Sequence, residues 1–404
     1  MTDASATTIR HDAKVLSLIC TGHFASHFYV MVLPPLFPFL HDNLGISYTA
    51  LGFMLSARYV ATGLSQLPAG FLVDRYGAKM ILIFGIAVMV AGYGMFAFAT
   101  AYWALVLCVA ISGIGDSVFH PADYSILNGS ISPGRMGRAF SIHTFSGMAG
   151  WSVAPIILIF VADKWDWRAA VLVAVAIGFV IMLVLIAQWH VLEDDVAAAK
   201  KPKEALTTAP PASGAAPSGI RENLRMLTAR PVLMLFLFFT MGSLANAGLN
   251  SFSVAALVTL GHSAGDSGIA LTAYLATSAF AVLVGGVTAD RIKRHDYFAA
   301  ICLAVSALVA VVIAAVPLHY FAVVFMFTIA GFLHGVIRPA RDMMVREVCP
   351  EGKTGKVFGF VFTGQNVGGA IAPIFYGFIL DSVSPQWVFY LSALFLVICI
   401  ATVI

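Results

Sequence analysis

Gly113-Ile114-Gly115-Asp116-Ser117-Val118-Phe119-His120-Pro121-Ala122-Asp123 lies inside an apolar segment, roughly residues 103–128, that is long enough to cross a bilayer. Asp116, His120 and Asp123 are spaced i, i+4 and i+7, which stacks them on one face of a helix. Ionisable groups at bilayer depth are expensive, so they face a bundle interior or a wet cavity. The stretch recurs as Gly331-Phe332-Leu333-His334-Gly335-Val336-Ile337-Arg338-Pro339-Ala340-Arg341. Glycine aligns with glycine and Pro-Ala with Pro-Ala. The polar positions pair Asp116 with His334, His120 with Arg338, and Asp123 with Arg341. Two copies of a charged face around a mid-helix proline predict a duplicated membrane protein with one site between its halves. The plainer alternative is that each copy forms ion pairs within its own half and binds nothing.

Composition supports the membrane assignment. The 404 residues are 60% hydrophobic and 11% charged, with a mean hydropathy of +0.91, whereas soluble domains carry roughly 25% charged residues. A net charge of +3 is too small to suggest a nucleic-acid partner. Residues 1–14 lack the apolar core and cleavage site of a signal peptide, so the first span is expected to stay in the mature protein. Cys20, Cys108, Cys302, Cys349 and Cys399 are scattered and read as packing residues. No cofactor or resident metal is expected, and the chain reads as a monomer.

Apolar runs of bilayer length predict twelve helices, at 15–40, 48–70, 80–100, 103–128, 138–162, 168–190, 230–259, 268–289, 297–317, 320–345, 354–380 and 385–404. The expected fold is therefore all-α, with two pseudo-symmetric six-helix bundles, 1–190 and 230–404. A hydrophilic linker, 191–229, joins them, and its centre is rich in Pro, Ala, Ser and Gly. Of the 23 Lys and Arg residues, only Lys164 and Arg168 fall in outer loops when the N-terminus is placed inside, and Arg58 and Arg338 fall within spans. This asymmetry places both termini in the cytoplasm of a cell with an inner or plasma membrane.

Several spans carry further polar residues. His23 and His27 share a face of the first span, where they can bind metal, relay a proton or bond to neighbouring helices. Arg58 lies too deep in the second span to snorkel easily, so it needs a carboxylate, an anion or water. Asn246 and Asn250 share a face of the seventh span, as ligands or as polar glue. Gly147 to Pro155 and Gln365 to Pro373 are rich in small residues and read as packing and bending elements.

Gly70-Phe71-Leu72-Val73-Asp74-Arg75-Tyr76-Gly77-Ala78-Lys79 resembles the major facilitator superfamily signature Gly-x-Leu-x-Asp-Arg-x-Gly-x-Lys at every defined position. Gly286-Val287-Thr288-Ala289-Asp290-Arg291 is a degenerate echo. The resemblance implies the fold of that superfamily, with spans one, four, seven and ten lining a cavity. It implies gating by Gly70, Asp74, Arg75, Gly77, Lys79, Asp290 and Arg291, joined by Arg341 at the inner end of its span. His23-Phe24, Leu33-Pro34-Pro35-Leu36-Phe37-Pro38 and Phe119-His120-Pro121 are similar to the fosmidomycin-resistance branch of proton-linked exporters.

Residues and resemblance together predict a proton-coupled secondary transporter of a small organic anion, carboxylate- or phosphonate-like, working by alternating access. Arg58 and Arg338 are the expected anion ligands, with His23, His27, His120, His334, Asn246 and Asn250 completing the site. Asp116, Asp123 and His120 are the expected proton carriers. The expected partners are the substrate, protons and the lipid bilayer, with symport and antiport both open. Arg58, Arg338 and Arg341 are balanced by Asp116, Asp123 and Asp342, so a zwitterion or a polar drug would also fit, and the fosmidomycin-type resemblance favours a proton–drug antiporter as the alternative. A divalent-metal transporter using His23, His27, Asp116, His120 and Asp123 is weaker, because arginines lie beside those ligands. Nothing resembles a nucleophile–base pair, so the chain is not expected to be an enzyme.

Overall fold

The computed structural model describes residues 3–192, 225–350 and 354–404. Most of the expected linker, 191–229, falls outside them. Among the described residues the chain is helical and contains no strand. Contacts divide it into two compact units, Met1–Pro202 with Ser263–Thr272, and Lys203–His262 with Ala273–Ile404.

The first unit begins with α1 (Asp3–Val30), a 3-10 turn (Pro34–Leu36) and α2 (Phe37–Leu44). The expected span 15–40 is thus two helices around a bend, because Pro34, Pro35 and Pro38 have no amide hydrogen to continue the ladder. α3 (Tyr48–Tyr76) starts at Ser47, whose hydroxyl accepts from the Ala50 amide at 3.2 Å. It stops at Gly77, whose φ of 90° suits only a residue without a Cβ. α4 (Ala78–Phe98) follows at once.

The fourth span is broken into α5 (Tyr102–Asp116) and α6 (Phe119–Ser130). Pro121 explains the break: it offers no N–H to the Ser117 carbonyl four residues back, and its ring crowds that carbonyl. The expectation of one continuous face carrying Asp116, His120 and Asp123 fails for this reason. Asp116 ends one helix, while His120 and Asp123 belong to the next. α7 (Met136–Lys164) and α8 (Trp167–Ala187) complete this part, α8 being capped by Asp166, which accepts from the Ala169 amide at 2.6 Å.

The later helices are α9 (Arg230–Asn250), α10 (Ser253–Thr259), α11 (Ala264–Ala289), α12 (His295–Ala315), α13 (Tyr320–Glu347), α14 (Thr354–Ser382) and α15 (Gln386–Val403). α13 runs unbroken through Pro339, unlike its counterpart in the first unit. Among the described residues, eleven helical segments are long and apolar enough to cross a membrane. α3 has the length as well, at 29 residues, and Arg58, Ser65, Gln66 and Asp74 make it more polar than the rest. It supplies the twelfth. Leu64, Phe98 and Phe321 are each more than 70% exposed, a surface that lipid solvates and water does not.

Each unit packs by the same scheme. α1 lies against α7 and α8, and α4 against α5 and α8; α9 lies against α14 and α15, and α12 against α13 and α15. Glycines set the closest approaches, as membrane helices require. A Cβ on Gly150 would strike the Phe24 carbonyl of α1 and come within 3.0 Å of the Phe28 amide, and one on Gly331 would strike the Tyr274 carbonyl of α11. Backbone cannot move aside as a side chain can. Gly150→Ala should therefore destabilise the protein by roughly 1–3 kcal/mol, the usual range for overpacking. Gly70→Ala meets open space and should leave the melting temperature unchanged. Thermal unfolding of the two purified variants in detergent compares them directly, and equal melting temperatures would contradict the packing account.

Candidate functional site

In the first unit the deep arginine and the first carboxylate meet. Gly113 lets α5 approach α3 closely, since a Cβ there would lie 2.5 Å from the Arg58 carbonyl. The Thr62 hydroxyl stitches the crossing, at 3.0 Å from both the Gly113 and the Arg58 carbonyl oxygens. Arg58, 1% exposed, donates from Nη2 to Asp116 Oδ2 at 3.1 Å. The Ser26 hydroxyl of α1 donates to Asp116 Oδ1 at 2.6 Å. Arg58 Nε is buried without a hydrogen-bond partner, so the guanidinium keeps donor capacity that the carboxylate does not use.

Asp123 is a different centre. Its carboxylate is wholly buried, with His143 Nε2 donating to Oδ2 at 2.9 Å and His23 Nδ1 at 3.2 Å from the same oxygen. The His23 contact is close without hydrogen-bond alignment: Nδ1 and Asp123 Oδ1 both stay unpartnered. The His23 and His143 rings stack with centroids 3.7 Å apart, and His27 packs 4.5 Å and His120 5.4 Å from His23. His27 also lies 4.8 Å from the Trp151 ring, and His120 is exposed. α1, α6 and α7 thus bring four imidazoles around one carboxylate. Gly147 makes room, since a Cβ there would lie 2.7 Å from the His23 ring.

In the second unit, α13 carries His334, Arg338 and Arg341, all partly buried. The Tyr274 hydroxyl of α11 donates to Asn246 Oδ1 on α9 at 3.1 Å, and its ring lies 5.9 Å from that of His334. Asn250 is buried with Oδ1 unpartnered. Arg341 stacks on Phe239 at 4.4 Å and donates from Nε to Asp342 at 3.3 Å. In the second unit Arg341 thus lies against the Phe239 and Phe362 rings, and Asn246 is held by Tyr274.

The signature loop joins α3 to α4. Asp74 and Arg75 are exposed, Gly70 borders open space, and the Lys79 ammonium lies 5.0 Å from the centre of the Trp189 ring. Asp290 and Arg291 are exposed just after α11.

The sequence reading missed His143, Asp12 and His295. His143 lies one turn before Gly147, and the rule that drew attention to His23 and His27 applies equally to it. Asp12 accepts from Arg135 Nε at 2.8 Å and from the Ser132 amide at 3.2 Å. His295 binds Glu347 through Nδ1 at 2.7 Å. The partners of Asp12 and His295 are distant along the chain, and no local pattern announces them.

The profile described as Major Facilitator Superfamily matches residues 19–258 and 243–404. The fosmidomycin resistance protein of Escherichia coli (strain K12) is 24% identical over 398 residues, 96% of this chain and 92% of the relative. The hexuronate transporter of Bacillus subtilis (strain 168) is 22% identical over 363 residues, 85% of this chain and 82% of the relative. Among solved structures, a bacterial homologue of the human lysosomal transporter Spinster matches with a TM-score of 0.80 at 16% identity, covering 97% of this chain and 96% of that one. A point mutant of the nucleoside transporter NupG matches at 0.77 and 13% identity, covering 96% and 98%.

Proposed function

The chain belongs to the major facilitator superfamily and is a transport protein, not an enzyme, and from that premise we propose that it moves a small organic anion coupled to protons, by alternating access. It is an integral membrane protein, and the proposal extends to an inner-membrane location and a monomeric state. The observation that carries the reading is the Arg58–Asp116 pair, 3.1 Å apart in the membrane-spanning part of the first unit. A carboxylate that holds an arginine is a natural exchange point. Protonation of Asp116 removes the negative charge and frees the guanidinium, with its spare Nε, for an anion. Loss of the proton restores the pair and expels the anion. In the second unit the reading assigns anion binding to Arg338, with His334, Asn246 and Asn250 as further polar ligands, and in the first it adds His23 and His27 to Arg58. His120 and Asp123 are the further proton carriers of the reading, and the Asp74–Arg75 and Asp290–Arg291 loops, with Arg341, act as gates.

Asp116→Asn tests this directly. In liposomes, the parent protein should take up an organic anion faster when a pH gradient is imposed. The variant should bind the anion yet show no response to the gradient. A response equal to the parent's would remove Asp116 from the coupling step.

A second reading, a proton–drug antiporter, is favoured by the likeness to the fosmidomycin resistance protein. Direction of flux in everted vesicles separates the two.

Orientation is tested by labelling. The exposed Asp163 ends α7 and the exposed Lys293 follows α11. In a cysteine-free background, Asp163→Cys should react with an impermeant thiol reagent from outside intact cells and Lys293→Cys should not. The reverse pattern would place both termini outside.

A further inference from the structure

We propose that His23, Asp123 and His143 form a binding site for one divalent transition-metal ion of the zinc class. Three helices supply the ligands: α1, α6 and α7. All three residues are buried, at 3%, 0% and 1% exposure, and their ligand atoms lie within 4.8 Å of one another. The two imidazole nitrogens stand 3.2 Å and 2.9 Å from the same carboxylate oxygen. Ligands about 2.0–2.2 Å from a tetrahedral ion are themselves about 3.3 Å apart, so the distances to the carboxylate fit, and closing the site requires the stacked His23 and His143 rings to rotate until both nitrogens point at the ion. Hydrogen bonding alone leaves this cluster short, because His23 Nδ1 and Asp123 Oδ1 are both buried without partners. Unsatisfied buried polar atoms are destabilising, and one ion between the ligands would engage both residues.

The surroundings fit a cation. Arg58, the arginine whose proximity weighs against metal, is engaged by Asp116. His23 and His143 meet Asp123 directly, the Cys20 thiol and the Tyr124 hydroxyl lie close to it, and His27 and His120 pack beyond His23. His27 and His120 lie outside this three-residue ligand set, and a water can take the fourth position. Two imidazoles and a carboxylate suit zinc, nickel or iron and are poor ligands for calcium or magnesium. The inference concerns ion binding alone: an ion held here takes His23 and Asp123 out of the substrate and proton roles of the transport reading, which then stands on Arg58, Asp116 and Arg338.

The test uses the full-length protein in detergent, stripped with a chelator and titrated with zinc against a chromophoric competitor. Expected are one tight site per chain and loss of affinity in Asp123→Asn and His143→Gln beyond the roughly 10–100-fold that an outer-sphere change brings. His190→Gln, at an exposed histidine outside the ligand set, should bind like the parent. Cobalt added to the parent should give the intense visible absorption of a four-coordinate ion, a measurement that needs no variant to fold. Weak zinc binding unaffected by Asp123→Asn and His143→Gln, or a cobalt spectrum of a hydrated six-coordinate ion, would overturn the site.

Discussion

Arg338→Ala is expected to abolish high-affinity binding of an organic anion while leaving a folded protein. Arg338 sits in the second half of α13, one residue before Pro339, in the copy of the repeat that carries arginine where the first copy carries His120. A guanidinium stays charged at every relevant pH and grips a carboxylate or phosphonate through two parallel hydrogen bonds. Removing one partner of such a desolvated pair costs about 2–5 kcal/mol, at least roughly a thirtyfold loss of affinity. Arg338→Lys keeps the charge and loses the fork, so its affinity should fall between the parent and the alanine variant. Titration of purified variants with fosmidomycin, a phosphonate, and with a hexuronate, a carboxylate, measures this. Binding by Arg338→Ala as tight as the parent's would move the anion site elsewhere.

The second large effect concerns stability. Arg58→Ala leaves the Asp116 carboxylate with Ser26 alone, and Asp116→Asn leaves a guanidinium that is 1% exposed without its counter-charge. Breaking a buried pair from one side destabilises by about 3–5 kcal/mol, whereas replacing both members with apolar residues can be nearly neutral. Both single variants should therefore melt well below the parent. The double variant Arg58→Met/Asp116→Leu should recover most of the loss while losing proton coupling. Single variants that melt within a degree of the parent would mean that the pair is open in the resting protein.

The fold was legible because the bilayer leaves few options. Long apolar runs must be helices, and the matching spacing from Gly113 to Gly331, Pro121 to Pro339 and Pro155 to Pro373 shows the duplication. The site was legible in part. Asp116 and Asp123 stood out as ionisable groups in an apolar run, but helical periodicity placed them together. Pro121 carried the contrary signal, since a proline interrupts the helix one turn earlier, and the two carboxylates consequently serve different partners. The Asp123 partners come from helices far away in sequence. His23 stands out beside His27 in its own span, whereas His143 sits alone among Ser141, Thr144 and Ser146. Which imidazole meets which carboxylate is decided by glycines such as Gly147 that set helix separation, and spacing along a single span does not encode that.

Proton movement driven by an anion tests the account most directly. Liposomes containing the protein and a trapped pH-sensitive dye are challenged with fosmidomycin, a hexuronate and an uncharged drug, without any imposed gradient. The account predicts that an anion shifts the internal pH, and that Asp116→Asn abolishes the shift while anion binding persists. A shift produced by the uncharged drug and by neither anion, or one that survives Asp116→Asn undiminished, would contradict it.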